Sequence, residues 1–113
     1  VYMKRIQENE TSQVCQEKFN SICRTIRRQL DTLTSLRVVH GDLHPANICI
    51  DPQTSAVSFI DFGWCLCEDF RMTGTERQYL NTCLSSDFDW VHFKRSLASF
   101  NLDVYSRNLE LDQ

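Results

Sequence analysis

His40-Gly41-Asp42-Leu43-His44-Pro45-Ala46-Asn47-Ile48, HGDLHPANI at 40–48, decides how the chain is read. Two histidines, an aspartate and an asparagine crowd into eight residues between the apolar pair Val38-Val39 and the apolar run Ile48-Cys49-Ile50. Polar residues this dense between segments that favour burial serve either to turn the chain or to do chemistry.

The residues downstream discriminate between the two. Ile48-Cys49-Ile50 and Val57-Ser58-Phe59-Ile60 are short apolar runs separated by the polar, Pro-containing loop 51–56, the pattern of a β-hairpin. Asn47 immediately precedes the first run and Asp61 immediately follows the second, so antiparallel pairing brings them to the open end of the hairpin. An amide oxygen and a carboxylate sharing one small volume make half of a Mg²⁺ site, because magnesium takes few protein oxygens and completes its octahedron with water and substrate phosphate. Asp42, five residues before Asn47, reaches the same volume from within the loop. Phe62-Gly63 then combines a bulky anchor, expected in the core, with a residue that lets the backbone turn freely. Taken singly, each of these residues reads as a turn, a cap or a satisfied histidine. Taken together and in this order, they read as a site.

The rest of the chain frames that site. Val14, Phe19, Ile22, Cys23, Ile26, Leu30 and Leu33 recur at spacings of three to five, which predicts a long helix over 14–36 with Glu17, Lys18, Arg24, Arg28 and Asp31 on its solvated face. Residues 1–6, VYMKRI, read as a short strand, and a start at Val-Tyr-Met without an initiator methionine is expected of a piece of something longer. Residues 64–88 show no stable period; Thr73-Gly74-Thr75 marks a loop, with a short helix near Glu76–Leu84. Trp90, Phe93, Leu97 and Phe100 predict a buried helix over 89–100, preceded by the capping-type residues Ser85, Ser86 and Asp87.

Composition limits the function classes. At 113 residues the chain forms one domain, single or partial, and a net charge of −3 lacks the basic surface that nucleic acid or an anionic membrane demands. No apolar run approaches the roughly 20 residues needed to span a bilayer, so no membrane insertion and a cytoplasmic setting are expected. The six cysteines form no CxxC motif and sit mostly in apolar segments, which favours buried free thiols over disulfides or a metal site built on Cys65 and Cys67.

HGDLHPANI followed by FIDFG resembles the catalytic loop and metal-binding motif of the protein-kinase-like superfamily: His-x-Asp, an Asn five residues after the Asp, then Asp-Phe-Gly after a short hairpin. His40, Asp42, Asn47, Asp61, Phe62 and Gly63 are all in place. Protein serine/threonine kinases usually carry Lys two residues after the catalytic Asp, whereas this chain has His44. The string is closest to the aminoglycoside and choline phosphotransferase branch, and similar strings occur in other atypical, small-molecule or lipid-related kinase-like families, which implies a small-molecule acceptor rather than a protein side chain. The resemblance implies an α+β fold, the mainly helical C-terminal lobe of a kinase-like domain, with the N-terminal lobe absent. It implies ATP and Mg²⁺ as cofactors, Asp42 as the catalytic residue, Asn47 and Asp61 as metal ligands, and backbone groups near Met3 and Arg5 at the adenine. His40, Phe62, Gly63 and Asp89 would be structural supports, with Asp87 the alternative to Asp89, and His44 would contact substrate or steady the loop. The chain has only three glycines, Gly41, Gly63 and Gly74, and no Gly-rich loop or strand lysine paired with a helix glutamate. A pseudokinase or interaction scaffold is therefore the alternative expectation, and an atypical protein kinase a further one.

Overall fold

In a computed structural model of the chain, residues 12–107 and 109 are described. The proposed strand over 1–6, with Met3 and Arg5, lies outside the described residues.

Helix α1 (Ser12–Ser35) is the main support. It buries Cys15, Phe19, Ile22, Cys23, Ile26 and Leu30 along one face, at helical spacing, and each large apolar side chain so buried contributes roughly 1.5–3 kcal/mol. At the first turn the stripe runs through Cys15 and leaves Val14 exposed, although valine is the more apolar residue, because a 3.6-residue period starting from Phe19 passes through 15. The helix ends where Arg37 takes a left-handed conformation (φ 56°), a position more often held by glycine. From there Arg37 pairs with Glu68 at 2.8 Å and bonds Asn81.

The chain then enters β1 (Val38–Val39), passes the motif loop with its 3₁₀ turn Pro45–Asn47, and forms the hairpin of β2 (Ile48–Ile50) and β3 (Val57–Phe59). Ile48 faces Phe59, Cys49 faces Ser58 and Ile50 faces Val57. The connecting turn is closed by Asp51, whose Oδ1 accepts from the Gln53 and Thr54 amides and is held below its usual carboxyl range by them. A second small antiparallel sheet pairs β1 with β4 (Leu66–Cys67), Val38 opposite Cys67 and Val39 opposite Leu66. That pairing draws the segment after Gly63 back across the base of the motif loop.

Helix α2 (Gly74–Ser85) begins inside the expected loop, because Thr73 and Glu76 form a reciprocal capping box. Helix α3 (Phe88–Ser96) continues as a 3₁₀ turn (Leu97–Phe100), so the stretch expected as one helix over 89–100 tightens in its last turn. A short α4 (Asp103–Ser106) follows. Trp90, Phe93 and Leu97 join the α1 stripe, Leu43 and the hairpin residues Ile48, Ile50 and Val57 in one core. A smaller core of Val39, Leu80 and Cys83 holds α2 against β1. All six cysteines are free thiols. The architecture is a small α+β unit whose hairpin and motif loop share one core with α1 and α3.

Candidate active site

The motif loop is fixed from below by a carboxylate. Asp89, in the first turn of α3 and 8% exposed, accepts the His40 amide on Oδ2 at 2.8 Å and the Gly41 amide on Oδ1 at 3.0 Å. Asp87, two residues earlier, does not reach the loop: its carboxylate pairs with Arg27 of α1. Although Asp87 occupies the N-cap of α3, it makes no capping bond and has a left-handed backbone (φ 58°).

His40 is wholly buried and links three segments. Its Nδ1 accepts the Asp42 amide at 3.1 Å, which assigns the ring proton to Nε2, and Nε2 donates to the Ile60 carbonyl at 2.8 Å. Its ring packs on Phe62 with centroids 4.6 Å apart. Phe62 itself is exposed, not buried in the core as the sequence led one to expect, because its packing partner His40 already fills the space beneath the turn. Gly41 (φ 95°) lies so close to the backbone of Trp64 that a Cβ there would overlap the Trp64 carbonyl oxygen. Gly41→Ala is expected to destabilise the fold by about 1–3 kcal/mol through the left-handed angle and this overlap, read as a lower urea midpoint with the slope unchanged.

Asn47 and Asp61 stand at the open end of the hairpin. The Ile60 amide donates to the Asn47 carbonyl at 2.9 Å, extending the β2–β3 ladder by one pair and leaving Asp61 as the next residue beyond it. The Asn47 amide nitrogen donates to the Asp42 carbonyl at 2.8 Å and lies 3.2 Å from His44 Nε2. Both contacts use nitrogen, which orients the amide and leaves its oxygen for another partner. Asp61 is exposed and left-handed (φ 60°), a conformation that Asp tolerates better than most residues, and Gly63 leaves its carboxylate room. Two hard oxygen donors of this kind suit a Mg²⁺ that takes its remaining ligands from phosphate and water. Among the described residues no group of three or more His, Cys, Asp or Glu is placed to hold a metal.

The Asp42 carboxylate, 36% exposed, lies between two imidazoles, with Oδ2 3.6 Å from His44 Nε2 and Oδ1 3.4 Å from His92 Nε2. Since Asn47 donates toward His44 Nε2, that nitrogen is an acceptor and the ring proton belongs on Nδ1. Nδ1 is buried without a hydrogen-bond partner among the described residues, while the ring stacks on Phe100 at 5.6 Å. His92 was not singled out from the sequence. The signal was available in helical spacing, since His92 follows Asp89 by three residues and shares its face of α3.

Residues 1–93 match the family described as ABC1 atypical kinase-like domain. The chain belongs to that family. The ABC1 match contains the whole motif loop, the hairpin, Asp61-Phe62-Gly63, Asp89 and His92, and it makes the chain a member of the protein-kinase-like superfamily. The superfamily expected from the sequence string is matched here at an atypical kinase-like family. No curated protein and no solved structure matches. A kinase-like fold of this family implies nucleotide binding, and its function class is a kinase-like phosphotransferase or a pseudokinase. No helix among the described residues is long and apolar enough to cross a membrane.

Proposed function

We propose that this ABC1 chain is the C-terminal, catalytic lobe of an ATP- and Mg²⁺-dependent phosphotransferase whose acceptor is the hydroxyl of a small molecule. The observation that carries the reading is the placement of Asp42. Its backbone is tied at both ends, the amide to His40 and the carbonyl to Asn47, while its carboxylate remains partly open to solvent at the loop surface. A rigid backbone under a reachable carboxylate is what a residue that accepts or orients a hydroxyl proton requires.

Asn47 and Asp61 would hold Mg²⁺, which when bound neutralises charge building on the transferring phosphoryl group. Asn47 presents an amide oxygen fixed by its own nitrogen's bonds, and Asp61 supplies a carboxylate from a glycine-flanked turn. His40, Phe62, Gly63 and Asp89 hold the loop. His44 in place of the lysine of protein kinases favours a small-molecule acceptor.

The test is nucleotide binding by the full-length protein. ATP at a hundredfold excess over its Kd is expected to stabilise the fold by about 2.7 kcal/mol in the presence of Mg²⁺, seen as a raised melting temperature. Asp61→Asn keeps the left-handed backbone and removes the charge, so it should fold normally and lose that Mg²⁺-dependent increment. An increment that survives the substitution would overturn the metal assignment. No stabilisation of the unsubstituted protein by ATP would favour a pseudokinase scaffold.

A further inference from the structure

We propose that a cavity along α3 is the acceptor subsite, and that it takes a small molecule with an anionic group attached to an apolar or aromatic body. The inference rests on the phosphotransferase reading of Asp42 and adds the chemical class of the acceptor.

The cavity has a volume of about 360 Å³ and is lined by Ser86, Phe88, Val91, His92 and Arg95. That size suits a small organic ligand. One lining residue touches Asp42: His92 lines the cavity and places Nε2 3.4 Å from Asp42 Oδ1. The ring of Phe88 stacks nearly parallel on His92, with centroids 5.6 Å apart and planes 10° apart, so two packed aromatic rings contribute to the cavity lining. Val91 continues it with an aliphatic face. An apolar or aromatic body fits against these side chains.

Arg95 carries the charge. Arg95 follows His92 by three residues, which on a helix puts the two side chains about 5–6 Å apart at Cβ. Among the described residues the Arg95 guanidinium has neither an ion-pair nor a hydrogen-bond partner, whereas Arg27 on the far side of α3 is engaged by Asp87 and Asp31. An anion therefore has a cation, Arg95, in the cavity lining, and the same lining reaches toward Asp42 through His92, which touches its carboxylate. This arrangement places the ligand's anionic group on Arg95 and its hydroxyl past His92, toward Asp42. In the reaction, the hydroxyl oxygen bonds the γ-phosphorus of ATP as the bridging bond to ADP breaks, and the hydroxyl proton passes to Asp42.

Three probes separate the contributions: phenyl phosphate carries both features, inorganic phosphate the anion alone and benzyl alcohol the aromatic body alone. Each is titrated into the full-length protein, with ADP and Mg²⁺ saturating so that the nucleotide site is filled, while the His92 ring and Arg95 side-chain NMR signals are followed. Phenyl phosphate is expected to shift both sets of signals and to bind about tenfold more tightly than either partial probe. Arg95→Gln should weaken phenyl phosphate about fivefold or more and leave Mg²⁺-ATP binding unchanged. Phenyl phosphate that binds the Arg95→Gln protein as well as the unsubstituted one, or that leaves the His92 ring unshifted, overturns the subsite while ATP binding stands. Loss of Mg²⁺-ATP binding in the unsubstituted protein would instead overturn the phosphotransferase reading beneath it.

Discussion

Asp42→Asn in the full-length protein is expected to lower phosphoryl transfer by about 10²- to 10⁴-fold while leaving the fold intact. The separation of the two effects comes from how Asp42 is held. Its amide donates to His40 Nδ1 and its carbonyl accepts from Asn47, so the main-chain geometry does not depend on the carboxylate. The carboxylate is 36% exposed and its two imidazole neighbours stand at 3.4 and 3.6 Å, beyond a strong hydrogen bond, so its replacement costs little stability. Single-turnover transfer with ATP and a hydroxyl acceptor, together with a melting curve, measures both quantities. Turnover unchanged in a well-folded Asp42→Asn protein would remove the basis for assigning this residue to the proton.

Asp89→Ala is expected to act on stability and activity together, lowering the unfolding free energy by about 2–5 kcal/mol. The two carboxylate oxygens are the acceptors of the His40 and Gly41 amides, and the side chain is 8% exposed, so alanine leaves two amide donors beneath the motif loop without acceptors. Each such donor costs of order 1–3 kcal/mol. Asp89→Asn keeps one oxygen and should fall between alanine and the native residue. Asp87→Ala is the control: its pairing with Arg27 is partly exposed and should be worth about 1 kcal/mol or less. Urea midpoints for the three variants test the order, and equal losses for Asp87→Ala and Asp89→Ala would show that anchoring the loop stabilises the fold no more than a surface ion pair does.

Much of the site is legible in the linear chain because its parts are close in sequence or joined by a local hairpin. Asp42 and Asn47 lie in one loop, and a Pro-containing turn returns Asp61 to them; a β-hairpin is decided by nearby residues, so its register follows once the two apolar runs and the loop are seen. The stripe from Phe19 to Leu30 is likewise a local property, since a helix repeats every 3.6 residues whatever it packs against. The same locality misled at the ends of elements. Thr73 looked like a loop residue until Glu76 turned back to complete its cap, and Val14 looked buried until the packing direction of α1 put Cys15 inward.

What the sequence by itself determined is the set of chemical groups and the local scaffolds that carry them: the motif loop, the hairpin, the long amphipathic helix and the kinase-like order of His40, Asp42, Asn47 and Asp61. Only the tertiary structure decided which of two aspartates anchors the loop, that β4 returns to pair with β1, that Phe62 lies on His40 at the surface, and that His92 faces Asp42. These are contacts between segments far apart in the chain, such as Val39 with Leu66 and Asp42 with His92. Periodicity records which face a residue takes on its own helix or strand, but not the angle at which α3 crosses the loop. That angle is set by the shared core of Phe93, Leu97, Leu43 and Ile48, where close packing leaves one arrangement that both buries the apolar groups and satisfies the amides of His40 and Gly41.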